Sequence, residues 1–155
     1  MATRYAAELS YNGASYSGWQ IQPDSPSVQE AVEKVLSMLD KKPVSVTGAG
    51  RTDSGVHARA QVCSFDMSSE WDEYRLLMAL NANLPQGITA MRLTKTRPGF
   101  HARYDAAGRE YIYFMWTGKT IYPHIAPFVH WIRGSGQDWS LAARACPLLE
   151  GEHDF

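Results

Sequence analysis

The chain reads as an α+β domain in the order βαββαβ, the split, ferredoxin-like pattern, with an antiparallel mixed sheet and helices on one face. Three observations point there. "RYAAELSY" at residues 4–11 alternates with period two, "SVQEAVEKVLSML" at 27–39 repeats with helical spacing, and the stretch from 43 to 95 offers two strand patterns, a helix and a third strand.

In the first strand Tyr5, Ala7, Leu9 and Tyr11 fall on one face and Arg4, Ala6, Glu8 and Ser10 on the other, as in a half-buried strand. The turn-rich segment "NGASYSGWQIQPDSP" follows, long for a connector, and long ordered loops often carry function. Ser27 and Glu30 form an S-x-x-E capping box, in which each side chain answers an orphan backbone N–H. Behind it Val28, Ala31, Val32, Val35, Leu36 and Leu39 make one apolar stripe.

Residues 43–48 ("PVSVTG") and 60–67 ("AQVCSFDM") read as strands. A second helix is expected from about Glu70 to Asn83, N-capped by Ser69 and stopped by Pro85 and Gly87. "ITAMRLTKT" is a further strand, and so is "REYIYFMW", which sets Tyr111, Tyr113 and Met115 opposite Ile112, Phe114 and Trp116. A third helix is expected after Asp138, ended or kinked early by Pro147.

Composition bounds the function classes. The 155 residues are 45% hydrophobic and 20% charged, enough for one globular domain with a real core. The net charge is −1, so nothing global advertises nucleic acid. Charge is segregated, however: residues 92–109 hold Arg92, Lys95, Arg97, Arg103 and Arg109 against Asp105 alone, a local excess of 5 − 1 = +4. Cys63 and Cys146 form no CxxC pair, which fits a reducing cytosol better than a disulfide framework or a zinc site. No signal-peptide pattern or membrane-length apolar run is present, and a cytoplasmic protein is expected. The five histidines lack metal-ligand spacing, so no zinc or iron site is expected.

The stretch with most chemistry in it is "GAGRTDSGVHAR", residues 48–59. Thr-Asp-Ser-Gly is ordinary turn vocabulary. Against that stand Arg51, two residues from Asp53 and able to keep a carboxylate ionised or bind phosphate, and Gly48, Gly50 and Gly55, which clear side chains from around the acid. Both readings stand: a turn, or a turn presenting an acid. The G-x-G here opens no strand–GxGxxG–helix unit and lacks a P-loop ending.

Downstream, "TRPGFHARYDAAGREYIYF" interleaves Arg97, Arg103 and Arg109 with Phe100, His101, Tyr104 and Tyr111. Guanidinium groups neutralise phosphates and aromatic faces stack on bases, at ~1–3 kcal/mol per base. A hairpin with core aromatics and solvated arginines accounts for the same residues.

In order along the chain, "GWQIQP…SVQEAVEKVL", "GAGRTDSGVHARAQV", "NANLP", "GFHARYDAAGREYIYF" and "GEHDF" resemble the TruA family of tRNA pseudouridine synthases over essentially its whole length. The resemblance implies a half of a pseudouridine synthase fold. It also implies an isomerase converting uridine to pseudouridine in the tRNA anticodon stem-loop at positions 38, 39 and 40, without cofactor or metal. Asp53 matches the family's catalytic aspartate, Tyr111 the tyrosine that stacks on the target base, and Arg51 the arginine thought to flip the uridine. Arg103, Arg109 and His57 are grouped with them as substrate contacts. Family members are longer and carry a second, related half, so residues 1–155 are expected to be a single N-terminal α+β domain whose C-terminal half is absent. The ending "GEHDF", directly after a helix, fits that expectation. A homodimer is implied for the full-length protein, and an RNA-binding module without catalysis is the alternative for this length of chain.

Overall fold

The computed structural model describes residues 2–134 and 136–154. The chain folds as two compact units, Met1–Glu110 and Tyr111–Phe155.

The first unit runs β1 (Thr3–Tyr11), α1 (Val28–Asp40), β2 (Thr47–Gly48), β3 (Ala58–Met67), α2 (Glu73–Asn83) and β4 (Ile88–Lys95). That is the expected βαββαβ order. The sheet is antiparallel throughout, in the order β2-β3-β1-β4. Period-two alternation in β1 does what it predicts: Tyr5, Ala7, Leu9 and Tyr11 are buried while the intervening residues are half-buried. Opposite them on β3, Cys63, Phe65 and Met67 point to the same face, with Tyr5 paired to Phe65 and Ala7 to Cys63. Val28, Val32, Val35 and Leu36 of α1 and Leu76 and Leu80 of α2 complete one core against that face. Removing these side chains from water is the main driving force for the unit, at ~1.5–3 kcal/mol for each fully buried large aliphatic or aromatic. Burial pushes the Cys63 thiol up to about 12, so it stays neutral among them.

The opposite face is covered by chain without regular structure. Arg4 reaches Phe100 O through Nε at 2.8 Å, and Ser64 Oγ accepts from Arg4 Nη2 at 3.1 Å and from the Ala102 N–H at 3.2 Å. Ala102 and Ser64 are buried as a result. Arg97 and Asp105 close this segment on itself with a 2.8 Å ion pair, and Asp105 also accepts from the His101 N–H.

Ser27 caps α1, its Oγ accepting from Glu30 N. Three expectations need correction. The strand expected over 43–48 is only Thr47–Gly48, because α1 takes the place of a strand neighbour. Val44 N–H donates to Ser37 Oγ, Val46 N–H to Glu33 Oε1, and Gln29 Nε2 donates to Val46 O. The second helix begins at Glu73 with Asp72, not Ser69, as N-cap, its carboxylate accepting from Arg75 N at 3.0 Å. Residues just before it are tied elsewhere: the Ser68 N–H and hydroxyl go to Asp40, and the Tyr5 hydroxyl bonds both N–H and O of Trp71. Leu84 then leaves the helix in the extended conformation that a residue before Pro85 must take.

The third correction lies in the second unit. Of "REYIYFMW" only β5 (Met115–Trp116) is strand, paired in parallel with β6 (His130–Trp131). A strand exists by pairing, and two residues of partner cannot support eight. Trp131 Nε1 donates to Gly118 O, Trp116 Nε1 to Thr120 O, and Arg133 lies 4.4 Å over the Trp131 ring. The expected helix is α3 (Trp139–Ala145), capped by Asp138, and Pro147 stands in the short 3-10 segment that succeeds it. Phe155, the end of the GEHDF block, lies outside the described residues.

Candidate active site

The loop from Ala49 to His57 joins β2 to β3 and is clamped from several directions. At its start, Ala49 N–H donates to Val62 O at 2.7 Å and Gly50 O accepts from Gln61 Nε2 at 2.7 Å. In its middle, Thr52 O accepts from Trp19 N–H at 2.9 Å, and Thr52 Oγ1 meets the Tyr11 hydroxyl at 2.9 Å. Towards its end, Gly55 N–H donates to Tyr16 O, Val56 N–H to Asp53 O, and the Gly13 N–H to His57 Nδ1 at 3.2 Å. The long turn-rich segment after β1 is therefore the loop's other wall. It is itself fixed to α1, whose Val28 and Gln29 N–H groups are answered by Gly18 O and Trp19 O.

Asp53 stands at the tip of this loop, exposed, in a shallow depression of about 500 Å³. Arg51, Thr52, Ser54, Ser17, Gln20, Gln22 and Ser25 share the lining. Among the described residues no ion pair joins Arg51 to Asp53. The arrangement offers a carboxylate that is open to solvent, carried by a loop whose backbone is hydrogen-bonded on either side of it. Side-chain amides, hydroxyls and one guanidinium share the depression with it.

The glycines have other duties than the sequence suggests. A Cβ on Gly48 would sit 2.6 Å from Cε2 of Trp19, and one on Gly50 would sit 3.1 Å from Nε of Arg109. Space assigned to a ligand is thus filled by the chain's own Trp19 and Arg109. Gly55, with φ 79° and nothing within 4 Å of a would-be Cβ, does stay open. Gly13 and Gly18, outside the motif, are the positions pressed by loop backbone rather than by a side chain. Their would-be Cβ atoms fall 2.0 Å from Val56 O and 2.6 Å from Thr52 O.

Of the residues picked out by sequence, Arg51, Asp53 and His57 share the loop, and Arg109 joins them by hydrogen bonds from Nε and Nη2 to Ala49 O. Arg103 is exposed on the segment that covers the sheet, where its N–H donates to His101 Nδ1, and the His101 ring stacks on Tyr104 at 4.2 Å. Tyr111 belongs to the second unit, where it is 65% exposed. The Arg97–Asp105 pair lies within the count for 92–109, and Glu70 from outside it pairs with Lys95, which lowers the basic excess further. Sequence reasoning missed Tyr11, Trp19 and Gln61, which hold the loop. Tyr11 carries the one faint signal, being the last residue of an alternating strand and so the nearest to the turn that follows. Among the described residues no cluster of His, Cys, Asp and Glu is arranged to hold a metal ion, and no helix is long and apolar enough to cross a membrane.

A family model described as tRNA pseudouridine synthase matches residues 7–105, which take in the second half of β1, the Asp53 loop and most of the segment over the sheet. Curated relatives called tRNA pseudouridine synthase A extend the likeness. The protein of Neisseria gonorrhoeae (strain NCCP11945) is 40% identical over 153 residues, covering 98% of this chain and 57% of its own. Those of Cereibacter sphaeroides and Rhizobium meliloti are each 38% identical over 98% of this chain, and 59% and 62% of their own length is covered. The chain thus spans about three fifths of the relatives it matches. With the match running through both walls of the Asp53 loop, the chain belongs to the tRNA pseudouridine synthase family.

Proposed function

We propose that the chain is the Asp53-bearing part of a tRNA pseudouridine synthase, which isomerises uridine to pseudouridine in the anticodon stem-loop at positions 38, 39 and 40. The observation that carries this is the exposed Asp53 carboxylate on a loop clamped by β1, β3 and the segment after β1. Family membership supports the reaction proposed. The N1–C1′ bond of uridine breaks and a C5–C1′ bond forms; the C5 proton is released to water and N1 takes one up, so substrate and product are isomers.

A uridine inside a stem cannot present C1′ to a carboxylate, so the base must be extruded, at a cost of a few kcal/mol. Arg51, on the depression's rim, takes up the vacated position or a phosphate, and Tyr111 stacks on the extruded base. Arg103, Arg109 and His57 serve as further RNA contacts. An ionised carboxylate acts on the sugar, and a rigid loop spares the cost of ordering it at each turnover. Extending the family likeness, the partner is tRNA, the setting is the cytoplasm and the assembly is a homodimer of the complete protein.

The test is tritium release from C5-labelled uridine in tRNA by the complete translation product that carries this chain. Asp53→Asn should abolish release and leave tRNA affinity within a few-fold of the parent. Retained turnover would overturn the role of Asp53, and RNA binding with no turnover in the parent would favour a binding module.

A further inference from the structure

Tyr11 ends β1, an inner strand of the sheet, and pairs with Ala58 of β3 and Ile88 of β4. Its ring is 4% exposed and lies 6.2 Å from that of Trp19. A phenol so placed needs a polar partner, and in this fold its 2.9 Å partner is the Thr52 hydroxyl. Thr52 is the residue before Asp53, and its own carbonyl is held by Trp19 N–H at 2.9 Å. Side chain and backbone of Thr52 are thus both tied to the rigid wall of the fold. Gln61 of β3 donates from Nε2 to Gly50 O at 2.7 Å, so both neighbours of Arg51 are held by side chains of the sheet. Burial raises the phenol's pKa, so the hydroxyl keeps its proton across the neutral range.

We infer that Tyr11 is a positioning residue: through its hydroxyl and Thr52 it holds the Asp53 carboxylate in the place from which it reacts. This rests on the reading of Asp53 given above. The Tyr11 hydroxyl reaches a side chain on the loop beside the acid.

The test is steady-state kinetics with tRNA on the complete translation product, beside thermal melting of each variant. Tyr11→Phe removes one oxygen and keeps the ring. It should lower kcat about tenfold with KM within twofold, since misplacement of a reacting group by an ångström can cost more than that. Thr52→Val, isosteric without the hydroxyl, should do the same, and Thr52→Ser should recover most of what Thr52→Val loses. The double variant Tyr11→Phe/Thr52→Val should be no slower than either single one, because both remove one interaction. If the variants melt lower but keep kcat, or change KM alone, Tyr11 only packs and the inference is overturned. Turnover by Asp53→Asn would instead overturn the underlying reading of the acid. An inactive Asp53→Asn beside a fully active Tyr11→Phe would overturn this inference alone.

Discussion

Gly18 decides more about the candidate site than its plain side chain suggests. Its φ of 102° lies where L-residues strain, and a Cβ there would press on Thr52 O at 2.6 Å. That carbonyl is the one that Trp19 N–H fixes, so the crowding falls on the bond that seats the residue beside Asp53. Gly18→Ala should cost about 1–3 kcal/mol, from left-handed strain and overpacking together. Melting of Gly18→Ala and Gly55→Ala checks this. The second meets nothing within 4 Å and should lose less, because only its φ of 79° opposes it. Equal losses would mean that strain alone governs both positions.

Among the elements, α2 shows how tertiary bonds move a helix start. Ser69 and Asp72 are both good N-cap types, and the apolar spacing does not choose between them. The choice is made by Tyr5 and Asp40, which hold Trp71 and Ser68 outside the helix and leave Asp72 to accept from Arg75 N. Asp72→Ala should therefore destabilise the protein by about 1 kcal/mol and Ser69→Ala by much less, as read from denaturant midpoints. The reverse order would restore the earlier start. The same competition shortens β2. Glu33, Gln29 and Ser37 of α1 satisfy the backbone around Val44 and Val46, so those residues are buried without being strand.

Across the molecule the two units differ in how much water they exclude. The first owns the whole apolar core, from Tyr5 to Leu93. In the second no described residue is buried, and Tyr113 and Leu148 are 84% and 74% exposed. Opening free energy follows buried apolar contact and protected hydrogen bonds, so local stability should divide along the same line. Hydrogen exchange of the 155-residue chain, read by mass spectrometry, should find the amides of β1 and β3 strongly protected. Those of 111–134 and 136–154 should exchange with little protection. Comparable protection in both regions would contradict that division.

The patterns that survive from sequence to structure are those whose physics is local. Period two in β1, the helical stripe of α1, the start of α3 after Asp138 and the Ser27 half of the capping box depend on neighbours within a few residues, and each forms as read. The return bond from the Glu30 side chain is not among the hydrogen bonds of the cap. The exposure of Asp53 is equally local, since an acid between turn-forming residues is put on display by the turn itself. Two patterns whose meaning depends on a distant partner did not survive. "REYIYFMW" has every local mark of a strand and only two residues of it pair, and Gly48 and Gly50 make room for Trp19 and Arg109 rather than for solvent. The clamp on Thr52 was likewise decided by tertiary structure, because Tyr11, Trp19 and Thr52 meet only when β1 and the segment after it close over the loop.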